Sequence, residues 1–156
     1  MKKIDAKIFE YRAELNIDDN LTLINGDSGI GKTLIFNYLD RCSYDNDKIK
    51  CFNAKYLEKI KLDGKSVQRA LENRLKLIKK SLIVIDNAEI ILDDRLRRYI
   101  AFDGDNTYMI FGRNVSGLWI TENNIATLVR DTKNKRMYLD YYFKDVNSID
   151  RTLDGR

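Results

Sequence analysis

One segment of the sequence carries a residue pattern with a clear chemical use, a glycine-rich stretch followed by lysine and threonine. It reads Gly26-Asp27-Ser28-Gly29-Ile30-Gly31-Lys32-Thr33. Glycines reach backbone angles that other residues avoid, so successive N–H groups can turn inward around a phosphate. Lys32 is then expected to contact the terminal phosphates of a nucleotide, and the Thr33 hydroxyl is expected to bind Mg²⁺.

The residues on either side supply the elements that this pattern requires. Upstream, residues 21–25 form a short apolar run typical of a buried parallel strand. Downstream, apolar residues recur at helical spacing, so a helix is expected to begin near Lys32 with its N-terminus toward the phosphate. The predicted nucleotide-binding residues are Gly26, Asp27, Ser28, Gly29, Ile30, Gly31, Lys32, Thr33 and Leu34.

A second stretch is a continuous apolar run that ends in a carboxylate. It reads Ser81-Leu82-Ile83-Val84-Ile85-Asp86. A buried parallel strand delivers its last residue to the carboxyl edge of the sheet, where ligands of α/β proteins bind. Asp86 is therefore expected to hold Mg²⁺ opposite Thr33, and these two residues are the predicted metal ligands.

Polar residues after the next predicted strand are candidates for contact with the terminal phosphate. This strand spans residues 107–111, and Gly112, Arg113 and Asn114 follow it. They are expected at the same sheet edge as Asp86. Either Arg113 or Asn114 could sense the phosphate, and either could equally be an ordinary turn residue.

Composition limits the class of protein and of chemistry. The chain has 156 residues, of which 44% are hydrophobic and 33% charged, as in one globular domain. We expect that domain over residues 1–145 and a polar tail over 146–156. The lack of histidine excludes Ser–His and Cys–His nucleophile systems, and the two cysteines form no CxxC pair. A net charge of +4 suits a phosphate-bearing ligand.

The hydropathy of the chain predicts a cytoplasmic protein without membrane contact. Its apolar runs are far shorter than the roughly twenty residues that cross a bilayer. The first residues, Met1-Lys2-Lys3, lead into alternating sequence rather than an apolar signal core.

Periodicity predicts several further elements. Alternation indicates an N-terminal strand over residues 9–15, antiparallel to the strand after it, and a hairpin formed by 125–130 and 136–143. Ser66 is a candidate N-cap for an amphipathic helix. The basic face of that helix, within residues 65–80, could meet nucleic acid or an acidic partner, but a solvated surface is favoured. Another helix is expected over residues 89–101.

The two motifs resemble those of the P-loop ATPases that have an extra strand between the two motif strands, the branch of the ATP-binding cassettes and AAA+ proteins. The similarity covers residues 9–114. It implies an α/β fold of the P-loop NTPase kind, with a mostly parallel sheet flanked by helices, an antiparallel N-terminal strand and a C-terminal β-hairpin. It also implies ATP and Mg²⁺ as ligands.

Several features of that family are missing. A glutamate that polarises the attacking water commonly follows the aspartate, but Asn87 stands there. Glu89 could substitute for it, or could simply be an acidic residue favoured by the start of a helix. The cassette signature, a switch histidine and a guanine-reading motif are absent from the sequence. The predicted catalytic residues are Lys32, Glu89, Arg113 and Asn114.

These observations predict a Mg-ATP-binding protein that hydrolyses ATP slowly or only with a partner. An arginine supplied in trans from residues 95–98 could assist. The alternatives are a non-hydrolysing nucleotide-binding interaction module and a small-molecule phosphotransferase. The expected partners are the nucleotide and another protein or a second copy of the chain.

Overall fold

A computed structural model describes residues 2–17, 20–25, 31–56, 66–113, 118, 120 and 122–141. These residues form one eight-stranded sheet with helices on both faces. The strands are β1 (Lys2–Ile8), β2 (Tyr11–Ile17), β3 (Leu21–Asn25), β4 (Ile49–Phe52), β5 (Leu82–Ile85), β6 (Thr107–Phe111), β7 (Ile125–Asp131) and β8 (Arg136–Tyr141). The main helices are α1 (Lys32–Asp45), α2 (Val67–Leu77), α3 (Ala88–Ile91) and α4 (Asp94–Phe102).

The strand order is β1-β2-β8-β7-β3-β6-β5-β4. From β7 to β4, every neighbouring pair is parallel. The other half of the sheet consists of two antiparallel hairpins, β1–β2 and β7–β8, which join through a parallel pairing of β2 with β8. The whole sheet curls into a half-barrel.

The predicted fold class is wrong. We expected the mostly parallel sheet of the P-loop NTPase fold, with an antiparallel N-terminal strand and a C-terminal hairpin added to it. The structure has instead one mixed, curled sheet in which both hairpins are integral. The pairing that joins them runs from Arg12 opposite Arg136 to Glu14 opposite Tyr138. It links segments far apart in the chain, so no local pattern in the sequence could indicate it.

Two apolar clusters cover the faces of the sheet. Helix α1 packs on one face, through residues such as Ile35 and Leu39. Helices α2, α3 and α4 pack on the other face. Strands β5 and β6 contribute alternate residues to the two clusters, as strands buried on both faces do. The hairpin half is buried only on the α1 side, so its strands alternate buried with exposed residues.

The prediction for the N-terminal strand is wrong in its bounds and in its pairing. Residues 9 and 10 of the predicted strand form a turn instead, and β2 begins at Tyr11 and ends at Ile17. The turn connects β2 to β1, which precedes the predicted range. Phe9 has a φ of 53°, a conformation that bulky residues rarely adopt. Strand β2 is antiparallel to β1 and does not pair with β3, which comes after it in the chain.

The helix predicted over residues 89–101 is interrupted. Helix α3 ends at Ile91, and Asp93 caps α4 by accepting a hydrogen bond from the Leu96 N–H at 2.9 Å. The predicted cap at Ser66 is confirmed, because its hydroxyl accepts a bond from the Arg69 N–H at 3.1 Å. Among the helices described here, none is long and apolar enough to cross a membrane.

Candidate functional site

The candidate site lies where several parallel strands end at one edge of the sheet. Phe52 pairs with Ile85, Ile85 with Ile110, and Ile24 with Phe111, so β4, β5, β6 and β3 end at similar levels. Strand β6 separates the strand before Asp86 from the strand before the glycine-rich segment. Since neighbouring strands lie about 4.8 Å apart, the C-terminal ends of β5 and β3 lie about 10 Å from each other.

Gly31 stands at the start of α1 in a conformation that favours glycine. Its φ is +121°, and its carbonyl accepts the first hydrogen bond of the helix, from the Ile35 N–H at 3.0 Å. A Cβ atom placed on Gly31 would lie 2.3 Å from Cε of Met137, on β8. The backbone at this glycine therefore approaches a buried side chain of the hairpin half.

The first turn of α1 offers backbone donors that no side chain of the helix uses. Gly31 supplies no cap, and the first turn holds no acidic residue. Lys32 is partly buried and Thr33 is exposed. Within the described part of the chain, Lys32 forms no ion pair and the Thr33 hydroxyl makes no hydrogen bond. These groups are suited to an anion and its metal ion.

Asp86 comes directly after β5 and is held in place by the backbone. Its N–H donates to the Phe52 carbonyl at 2.9 Å, which ties it to the end of β4. Its Oδ1 atom accepts a bond from the Asn87 N–H at 2.8 Å. The second carboxylate oxygen has no protein donor among the described residues. A half-buried carboxylate with one oxygen to spare is a suitable ligand for Mg²⁺.

Asn87 comes directly after Asp86 and has a structural role. Its φ of 56° and ψ of 40° are left-handed, a conformation that asparagine adopts more readily than most residues. Its Oδ1 accepts a bond from the Ala54 N–H at 3.4 Å. Asn87 therefore turns the chain from β5 into α3 and contacts the segment after β4.

Glu89 and Arg113 are brought together across the site. The Arg113 N–H donates to Oε2 of Glu89 at 3.4 Å. The preceding residue, Gly112, donates its N–H to the Ile24 carbonyl at 3.3 Å. These bonds link α3, the end of β6 and the end of β3. Both Glu89 and Arg113 are exposed, so a ligand at this edge can reach them.

Arg95, one of the arginines considered as assisting groups, is engaged elsewhere. Nε of Arg95 and Nη1 of Arg69 each contact Oε1 of Glu72 at 2.8 Å, and Lys76 contacts its other oxygen at 3.5 Å. Burial alone would raise the pKa of Glu72, but the hydrogen bond from Arg95 and these cations outweigh it and lower that pKa. Arg69 and Lys76 belong to the basic helix predicted within 65–80. Both thus form ion pairs with Glu72 inside the same protein.

Part of the predicted site lies outside the described residues. The predicted residues concerned are Gly26, Asp27, Ser28, Gly29, Ile30 and Asn114, and the tail at 146–156 is also outside. No group of three or more acidic or cysteine side chains suited to a metal ion occurs in the portion of the chain that the structure describes. Sequence reasoning missed Met137 as a neighbour of Gly31, because it is a distant apolar residue in an alternating strand.

The sequence of this chain matches no protein-family model and no curated protein. The function is therefore argued from the residues of this chain.

Proposed function

We propose that this protein binds Mg-ATP at the sheet edge formed by the ends of β3, β5 and β6, and that it hydrolyses ATP slowly or only with a partner. The observation that carries the proposal is the convergence of two sequence motifs on that edge. The residues Gly31-Lys32-Thr33 begin α1 after β3, and Asp86 comes directly after β5.

Phosphate binding is assigned to the start of α1. The helix has fourteen residues and presents its N-terminal donors without a side-chain cap. Such an end carries a partial positive charge and favours an anion. Lys32 adds a full positive charge there, and no described carboxylate pairs with it. The segment at 26–30 would complete the cradle by its glycine spacing.

Metal binding is assigned to Thr33 and Asp86. Magnesium is bound in proteins by one or two carboxylates together with waters and substrate phosphates, rather than by a cage of side chains. The spare oxygen of Asp86 and the exposed hydroxyl of Thr33 fit that ligand set. When bound, Mg²⁺ would neutralise charge on the phosphate oxygens.

Hydrolysis needs a group that orients water, and Glu89 is the candidate. It is exposed, and the bond from the Arg113 N–H fixes one of its oxygens while the other stays open to a water molecule. Arg113, also exposed, follows β6 at the same edge. Among the described residues, Glu89 is the one exposed carboxylate at the proposed water position, so slow turnover is the expected outcome.

A non-hydrolysing nucleotide-binding module is the second candidate. It is favoured by Asn87, which comes directly after Asp86 and whose side-chain oxygen accepts a hydrogen bond from the Ala54 N–H. An amide cannot act as a general base. If Glu89 only stabilises the N-terminus of α3, the protein would bind ATP without turnover. A phosphotransferase is less favoured, because Arg95 is committed to Glu72.

The proposal includes a cytoplasmic location and a protein partner or self-association. The cytoplasm supplies Mg-ATP and keeps thiols reduced, in agreement with the free thiols of Cys42 and Cys51.

Calorimetric titration of Mg-ATP into the wild type and Lys32→Ala tests this proposal. We expect saturable binding by the wild type and loss of most of it in the variant, because a phosphate-contacting charge is removed. Phosphate release measured on the same samples then separates an ATPase from a passive module.

Lys2→Ala is the matched control for that titration, since it removes an exposed lysine at the start of the edge strand β1, which three strands separate from β3. It should bind Mg-ATP as the wild type does. Absence of wild-type binding, or equal affinities of wild type and Lys32→Ala, would refute the proposed site. Thermal unfolding without nucleotide should be the same for all three proteins.

A further inference from the structure

A second concave surface lies beside the edge strand β4, on the side of the sheet that α2 covers. It is a cleft of about 370 Å³ between β4 and the C-terminal end of α2. Among the described residues that line it, the cations are Lys48, Lys50, Arg74 and Lys79, and the acidic residue is Asp47. We call this surface the basic cleft. The proposed ATP site uses none of these residues.

The alternation of β4 explains how lysines come to line the cleft. Phe52 packs in the apolar cluster beneath α2, whereas Cys51 packs toward α1. Lys50 shares the face of Phe52, because alternate strand residues point the same way. Its neighbour on β5, Ile83, is fully buried. Helix α2 thus covers β5 but leaves Lys50 in a cleft beside it.

The opposite wall combines positive charge with exposed apolar surface. Leu77, the last residue of α2, is 81% exposed and lines the cleft. Arg74 donates to the neutral Tyr56 hydroxyl at 2.7 Å, and no carboxylate of the described residues pairs with it. Lys79 contacts Asp105 at 3.1 Å, but both side chains are more than half exposed, so this pair is weak.

The remaining two cations of the cleft are lysines on the β4 side. Lys48 and Lys50 form no ion pair within the described residues. Cations at a helix C-terminus stabilise the helix, and lysines on an edge strand discourage edge-to-edge pairing. The first explanation accounts for the cations of α2, and the second accounts for the lysines of β4. Neither accounts for two cationic walls that face each other, one of which carries an exposed leucine.

We propose that the basic cleft binds an acidic segment of a partner protein, which places an apolar side chain on Leu77. A charged rim around an apolar anchor is the usual composition of a protein interface. A nucleic acid would use the cations but would gain little from Leu77, since its backbone is read by charge. The observations therefore favour an acidic peptide.

Lys48 and Ser81, which precede β4 and β5, line the cleft, whereas Asp86 comes after the carboxyl ends of those strands. The cleft thus opens toward the end of the strands opposite to the candidate ATP site. A partner bound there would leave the ATP site accessible.

Fluorescence anisotropy with a labelled peptide of repeated Glu-Glu-Leu tests the inference. We expect saturable binding that weakens with salt and is about tenfold weaker for peptides of repeated Gln-Gln-Leu or Glu-Glu-Ser. The variant Lys48→Glu/Lys50→Glu should lose about tenfold in affinity, and Leu77→Ser should lose a similar factor.

The matched control is Lys2→Glu/Lys133→Glu, which makes the same charge change at two exposed lysines of the hairpin half. It should retain wild-type affinity within about twofold. Lys48→Gln/Lys50→Gln provides a milder variant if charge reversal impairs folding, which circular dichroism will report. Absence of binding, equal losses in the control, or indifference to Leu77→Ser would overturn the inference. So would tighter binding of a labelled oligothymidylate, which would mark the cleft as a nucleic-acid surface.

Discussion

The terminal methyl group of Met137 lies against Gly31, so that a Cβ on this glycine would stand 2.3 Å from it. Met137 is fully buried on β8, and Gly31 starts the helix to which phosphate binding is assigned. The hairpin half of the sheet is thereby in direct contact with the proposed ATP site. The effect of this contact on the free energy of unfolding can be measured.

We predict that Gly31→Ala lowers the free energy of unfolding by about 2 kcal/mol, because φ of +121° strains any side chain and the new methyl group meets Met137. Met137→Ala should cost about 3 kcal/mol by leaving a cavity. The double variant should lose less than the sum, since the shortened side chain makes room for the methyl group. Urea unfolding of all four proteins measures this cycle.

Gly104→Ala is the control, because a Cβ there meets nothing within 4 Å. Its stability should change by less than about 0.5 kcal/mol. Strict additivity of the two site variants would show that the contact has no energetic effect.

We predict that Glu89→Gln binds Mg-ATP normally but releases phosphate about a hundredfold more slowly, because an amide cannot take a proton from water. The glutamine oxygen can still accept the bond from the Arg113 N–H, so the local structure should persist. Calorimetry and a phosphate-release assay measure the two quantities. Asp94→Asn, in the first turn of α4, removes an equivalent exposed carboxylate and should leave turnover unchanged. Equal turnover in Glu89→Gln and the wild type would exclude Glu89 as the base.

Glu72 is predicted to make stability depend on acid pH. Its pKa is lowered in the folded state, so its contribution is complete above the ordinary glutamate pKa and is lost as the pH falls through the folded value. Glu72→Gln should destabilise the protein by about 2 kcal/mol near neutral pH, because three cations lose their shared partner yet remain partly hydrated. The difference should shrink in acid. Urea unfolding at several pH values measures it, and a difference that persists in acid would argue against an ionised Glu72.

Cys51 is predicted to be an unreactive thiol. Burial, with a smaller contribution from the negative charge of Asp40, raises its pKa to about 12. The thiolate is the reactive form, so labelling of the folded Cys42→Ser variant by a thiol reagent should be slower than labelling in urea by a factor on the order of a thousand. Similar rates in the two conditions would show that the thiol is not shielded.

Local sequence patterns were sufficient for several elements. The apolar run before Asp86 forms β5 and the largely apolar run before Gly26 forms β3, because mostly apolar residues suit a strand buried on both faces. The cap at Ser66 needs only a hydroxyl and a free N–H three residues later. Local sequence patterns do not predict the break before α4, because Asp93 fits the exposed face of a longer helix equally well.

The amino-acid sequence by itself determined which residues begin α1 and which residue ends the run of β5, since glycine spacing, apolar runs and caps act over a few residues. The tertiary structure alone decided that β2 pairs with β8, that both hairpins belong to one curled sheet, and that Met137 meets Gly31. These contacts join segments that are far apart in the chain. Which of these segments meet depends on the packing of the whole core. Neither segment carries a residue pattern that identifies the other as its partner.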